Sequence, residues 1–193
     1  MTADNQPAAG PGGQRSKRRR FLSRFRRDRG GSVAIEFSLL AIPFSLLTFA
    51  ILESCISFAG QQLLSNATDN VARQLRTGQI KAADMTKTKL EEMICDQLEI
   101  LVTSGCPGLV VDLRQFATFD DAAKVRIKIT ADKDLDTTGF DVKPGKSMSK
   151  NMLRTFYKWP VMTDFMRKSM ANLKDGKTLH FATATWQNEP FDD

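Results

Sequence analysis

The side chains best placed to do chemistry lie at the start of a long apolar run. Glu36 is the fifth residue after Gly31, and from Phe37 to Leu52 the chain carries no charge. A carboxylate at membrane depth costs ~2.5–3.5 kcal/mol on insertion scales, so it needs a partner charge or a functional reason. The chemistry on offer is ion pairing; the plainer alternative is an interfacial acid that snorkels to headgroups. Glu53, near the far end of the run, falls on another helical face from Glu36 and reads as such a snorkelling acid.

The second chemistry is that of thiols. Cys95 and Cys106 lie beyond the apolar run, hence on one side of a membrane, and flank a turn. A disulfide closing that short loop would add ~3 kcal/mol on the chain-entropy account, with two unpaired buried cysteines as the alternative. Cys55, inside the run, reads as a small apolar residue.

Catalysis and metal binding find little to work with. His180 is the single histidine, falls in an expected strand and has no Ser or Cys motif beside it, so its role reads as structural. One histidine leaves no zinc ligand set. Asp132, Asp134 and Asp136 alternate in a polar loop but lack the Gly and the twelfth-position Glu of an EF-hand, and read as solvated acids. Trp159 and Trp186 read as core or interface. The expectation is a protein without catalytic residue, cofactor or metal, and not an enzyme.

The element that must position Glu36 is a membrane-spanning helix. Ser32 to Gly60 exceeds the ~20 residues needed to cross the hydrocarbon core, with Val33, Pro43 and Leu52 marking its start, its expected bend and its end. Pro43 lacks the N–H that a helix uses, a defect membrane helices tolerate. Residues 1–31 hold nine Lys or Arg against Asp4 and Asp28, a net charge of +7, whereas the remaining nineteen basic and twenty acidic side chains give −1. This leader places the N-terminus in the cytoplasm and everything after Gly60 outside, in a single-pass topology. Because the basic character belongs to the leader, it does not support nucleic-acid binding. Residues 1–14, rich in Pro and Gly, read as disordered.

Beyond the membrane, Leu64, Ala67, Val71, Ala72 and Leu75 carry an amphipathic helix on to about Gly78. That face packs on its own domain or against neighbouring stems. The exported part reads as a small α+β domain with a short antiparallel sheet and packed helices. A helix is expected from about Asp84 to Val102, and strands around Val111–Arg114, Val125–Thr130 and Thr178–Gln187. Asp132–Lys150 reads as loop, and Ser149–Lys158 and Val161–Leu173 as helical, broken at Pro160. The expected divisions are 1–31, 32–80 and 81–193.

The arrangement of basic leader, Gly31, Glu36 and apolar run resembles a type IV-like prepilin. Cleavage after Gly31 would make Ser32 the new N-terminus and Glu36 the fifth residue. Two other readings use the same residues. One is a secretory signal cut after Ser57-Phe-Ala59, with an apolar region longer than usual; the other is a twin-arginine signal at Arg18-Arg19, from which the charged spacer through Arg29 detracts. A lipoprotein signal ending at Cys55 is weaker, since Glu53 stands where a small residue is expected.

Arg29-Gly-Gly-Ser-Val-Ala-Ile-Glu-Phe-Ser-Leu-Leu-Ala-Ile-Pro43, followed by Asn66-Ala-Thr-Asp-Asn-Val-Ala-Arg-Gln-Leu-Arg-Thr-Gly78, resembles the N-terminal region of TadE-like pseudopilins of the bacterial tight adherence (Flp pilus) system. Ala184-Thr-Trp-Gln-Asn-Glu-Pro-Phe191 is similar to that family's Asn-Glu-Pro-aromatic terminus. The resemblance covers roughly 32–80 and 178–191; the cysteine pair and Tyr157-Lys-Trp-Pro160 carry it weakly between. It implies a minor pseudopilin that assists assembly of a fibre built from a smaller major pilin. The implied partners are a prepilin peptidase, other minor pseudopilins, the major Flp pilin and the system's inner-membrane platform. The implied location is the inner membrane, with the C-terminal domain periplasmic. It also implies that Glu36, beside Phe37, pairs with the free amine of Ser32 on a neighbouring subunit. A membrane-anchored periplasmic adaptor or sensor is the alternative.

Overall fold

A computed structural model of the chain describes residues 30–192; residues 1–29, including the stretch 1–14 read above as disordered, lie outside the described residues. Contacts divide the chain into two units, Met1–Phe49 and Ala50–Asp193. One helix, α1 (Gly30–Arg76), runs through the boundary and passes Pro43 without a break in its assignment.

In the first unit α1 is apolar all round. Val33, Ile35, Phe37, Leu39, Leu40, Ile42, Phe44, Leu47 and Phe49 are all exposed, so the helix presents large apolar side chains on every side. The helix is long and apolar enough to cross a membrane. Two of its hydroxyls bond back within the helix: Ser38 donates to the Ala34 carbonyl at 2.8 Å and Thr48 to that of Phe44 at 2.9 Å.

In the second unit α1 changes character. Glu53, Ser57, Gly60, Leu64, Ala67, Thr68, Val71, Ala72 and Leu75 are buried at three-to-four spacing, one stripe turned onto the domain. The amphipathic face therefore packs on its own domain, not on neighbouring stems. After Arg76 the chain turns through Gly78, whose φ of 72° suits glycine.

A 3-10 turn, Ala82–Asp84, leads to α2 (Lys87–Leu98). The expected helix is thus shortened at both ends. Thr86 sets its start by accepting the Lys89 N–H, and burial of Leu90, Ile94, Cys95 and Leu98 fixes its inner face. Four strands follow: β1 (Leu109–Phe116), β2 (Val142–Lys143), β3 (Lys150–Pro160) and β4 (Lys177–Gln187), in the order β2-β1-β3-β4. The three long strands are antiparallel, with Leu113 opposite Leu153 and Leu153 opposite Ala184. The two-residue β2 adds in parallel beside Leu113 and Arg114. Two short helices, α3 (Phe119–Ala123) and α4 (Asp164–Met170), complete the domain. The fold is α+β, as expected.

The inner face of the sheet meets the stripe of α1 and the apolar side of α2. Val111, Leu113, Leu153, Tyr157, Trp159, Ala182 and Trp186 form one core with Leu64, Val71, Leu75, Leu90 and Ile94. On the outer face the Asp112 carboxylate, fully buried, accepts Arg154 at 2.7 Å and Arg114 at 2.9 Å, and the Arg154 guanidinium lies 4.9 Å from the centre of the Phe140 ring.

Three expectations differ from this architecture. Ser149–Lys158, read as helical, is most of β3, the strand paired on both sides. Every residue from Asn151 to Tyr157 is buried, so its sequence lacks the two-residue alternation that marks a half-exposed strand. Val125, Ile127 and Ile129 form no ladder; Ile129 makes a single bridge to Leu135. Their alternation arises because the segment crosses the sheet's outer face, where Arg154 reaches the Arg126 carbonyl at 3.5 Å. Val161–Leu173 is helical only over α4, capped by Thr163.

Candidate functional site

At the start of α1, Gly31 is exposed, and a Cβ placed on it would meet nothing within 4 Å. Neither packing nor a positive φ requires glycine at that position. Glu36 follows Ser32 by four residues along α1. Glu36 and Phe37 are exposed on that apolar helix. Among the site residues expected from the sequence, Gly31, Ser32, Glu36 and Phe37 thus lie within the first two turns.

The second expected feature is closed. Cys95 and Cys106 form a disulfide with their Cα atoms 5.7 Å apart, joining the last turn of α2 to the approach to β1. Within the loop, Glu99 accepts the Gly105 N–H at 3.0 Å and the Ser104 hydroxyl at 2.8 Å, which holds its carboxyl below the usual range. Cys55 is a free, exposed cysteine.

The seam between the domain and its own stretch of α1 carries polar side chains that the sequence reading did not assign. Glu53 is buried, not snorkelling. Its carboxylate accepts the Met162 N–H at 2.5 Å, the Thr163 N–H at 3.2 Å and the Thr163 hydroxyl, securing the entry to α4. One turn on, Ser57 Oγ lies 3.0 Å from His180 Nε2. The His180 ring stacks on Trp159 with centroids 5.1 Å apart, and Gly60 lets that indole approach the helix. Thr68 donates to the Leu64 carbonyl and meets the Thr155 hydroxyl at 2.5 Å. The signal was present in the sequence: Glu53, Ser57, Gly60 and Leu64 continue the spacing of the apolar stripe toward the N-terminus.

His180 is buried by this packing, and its pKa falls to about 4 because burial penalises the charged ring. Its Nδ1 has no partner among the described residues. The neutral ring is thus stacked on Trp159 and held by the Ser57 hydroxyl.

The C-terminal motif is also a fastening. Asn188 is buried; its amide donates to the Gly145 and Lys146 carbonyls at 2.9 Å, and its oxygen accepts the Trp186 indole N–H at 2.7 Å. Glu189 pairs with Arg76 at 3.3 Å while its N–H reaches the Arg76 carbonyl at 2.9 Å. Phe191 packs against Gly78. Asn188, Glu189 and Phe191 thus fasten the end of β4 to residues of the same unit.

The alternating acids behave separately. Asp134 is tied to Lys158 at 2.6 Å and Lys174 at 3.0 Å, and these hydrogen-bonded ammonium groups hold its carboxyl well below the usual range. Among the described residues, no three metal-ligating side chains gather.

Residues 31–73 match the family model described as TadE-like protein. No curated protein and no solved structure matches the chain. The matched segment contains Gly31, Ser32, Glu36, the apolar helix and the first part of the buried stripe. Over this N-terminal segment, and there alone, the chain is similar to TadE-like proteins.

Proposed function

We propose that the protein is a minor pseudopilin, a non-catalytic subunit that supports assembly of Flp-type pili in the tight adherence system. A prepilin peptidase removes the leader after Gly31, and α1 then remains as the membrane anchor. The +7 leader stays cytoplasmic and everything after Gly60 lies on the periplasmic side. Its partners are the peptidase, other minor pseudopilins, the major Flp pilin and the inner-membrane platform.

The observation that carries this reading is the coincidence, within residues 31–73, of the family match with an exposed apolar helix whose fifth residue after Gly31 is an acid. The disulfide supports the exported side, where such bonds persist. Glu36 pairs with the Ser32 amine of a neighbouring subunit, so the fibre's register depends on a charge made by cleavage.

The experiment replaces Glu36 by alanine in cells that make the pilus. Glu36→Ala is cleaved like the parent but fails to support piliation, scored by the pilin sheared from cells. Normal piliation in that variant would show the carboxylate to be dispensable.

A further inference from the structure

Met162 and Phe165 are exposed by 71% and 65%, although both lie beside the apolar segment of the second unit's own helix. Their position is fixed by Glu53, which accepts the Met162 and Thr163 N–H groups at the entry to α4. At the other end of α4, Met170 Sδ is 4.0 Å from Ser54 Oγ. The short helix therefore lies level with Glu53 and Ser54. At that level α1 itself still exposes Ile51, Leu52, Ile56 and Phe58.

Bilayer dimensions say what surrounds this level. About 20 helical residues cross the ~30 Å hydrocarbon core. Counted from Val33, that length ends at Leu52, one residue before Glu53. The apolar side chains of α4 thus stand at the edge of the membrane that α1 would span. The charge fits an anionic lipid surface. Lys168 is exposed on α4 and follows Phe165 by three residues, on the same face, while the neighbouring Arg167 is paired with Asp164 at 2.6 Å. A short segment with Met and Phe beside Arg and Lys has the composition of an interfacial helix.

We propose that α4 and the preceding turn form a lipid-contacting foot. Met162 and Phe165 enter the acyl–headgroup boundary of the outer leaflet, and Lys168 meets the lipid phosphates. The foot sets the height of the domain above the bilayer, and Glu53 is its link to the stem. This rests on α1 being a membrane anchor, so the experiment separates the two claims.

The full chain is placed in vesicles of phosphatidylethanolamine and phosphatidylglycerol whose acyl chains carry bromines either near the headgroup or near the bilayer centre. Tryptophan is added by Phe165→Trp or, in the span, by Phe44→Trp; buried Trp159 and Trp186 supply the baseline. At the ~5–10 Å depth of an interfacial helix, the Phe165→Trp emission falls about twofold with shallow bromines and less with deep ones. Phe44→Trp is quenched best by deep bromines. Adding Lys168→Glu weakens the shallow quenching. If Phe44→Trp is quenched and Phe165→Trp is not, the foot is overturned and the anchor stands. If neither is quenched, the anchor fails and the foot with it. Phe165→Trp emission that becomes shielded only as chains are crowded would indicate contact between copies, and would also overturn the lipid assignment.

Discussion

Gly60 lies so close to the indole of Trp159 that a Cβ at position 60 would stand 2.5 Å from Cζ3 of the ring. The contact fixes how near the domain's sheet approaches its own helix. It stands between the Glu53 and Ser57 hydrogen bonds on one side and the Leu64 core on the other, so the seam has no slack to absorb a larger residue.

Replacing Gly60 by valine should therefore overpack the seam and cost about 1–3 kcal/mol. Alanine is a weaker test, because its helix propensity returns ~1 kcal/mol. Thermal unfolding of the detergent-solubilised chain, followed by tryptophan fluorescence, checks it. A Gly60→Val melting temperature equal to the parent's would mean that the helix and Trp159 are not held at this distance.

His180 gives the seam a pH dependence of known sign. Its folded pKa of about 4 lies below the ordinary 6.5, so between those values the unfolded chain binds the extra proton. Stability contributed by the neutral ring is complete above pH 6.5 and is lost as pH falls toward 4, by up to ~3 kcal/mol. Urea unfolding at pH 7 and pH 5 should show this loss, and His180→Gln should flatten it. An equal slope in the variant would assign the pH dependence to other groups.

Glu53→Ala removes the acceptor of two backbone N–H groups and one hydroxyl. The expected cost is ~1–3 kcal/mol, concentrated at the entry to α4. Hydrogen exchange should accelerate at Met162 and Thr163 while the β3 and β4 amides stay protected. Unchanged exchange at those two amides would contradict the capping role.

Cys95→Ser with Cys106→Ser should lower stability by ~3 kcal/mol on the chain-entropy account, as should reduction of the parent. Denaturant titration with and without reductant measures it. A parent insensitive to reductant would show that the bond adds nothing to stability.

Legibility in the sequence followed how one-sided each segment's surroundings are. α1 in the first unit exposes apolar side chains on every side, and an unbroken apolar run was enough to read it as a helix. β4 alternates buried His180, Ala182 and Trp186 with exposed Phe181, Thr183 and Thr185, and its pattern was plain. β3 is covered on both faces, and its buried Asn151, Arg154 and Thr155 erased the alternation. Val125–Ile129 has the alternation without a partner strand, since a segment lying across a sheet is also half-buried. Glu53 was misread because a lone acid near a membrane edge has the same sequence whether it meets headgroups or the N–H groups of a distant turn. Only the tertiary fold brings position 53 to positions 162 and 163. The Asn188–Phe191 clasp was similarly hidden, because its partners Arg76, Gly78 and Gly145 are remote in sequence.

The central claim is that cleavage after Gly31 creates the Ser32 amine one helical turn before Glu36. Intact mass of the protein extracted from membranes, in cells with and without the prepilin peptidase, tests it most directly. The account predicts a chain beginning at Ser32 when the peptidase is present and the uncleaved chain when it is absent. A chain that keeps its leader in both, or one that begins at Gly60, would contradict it.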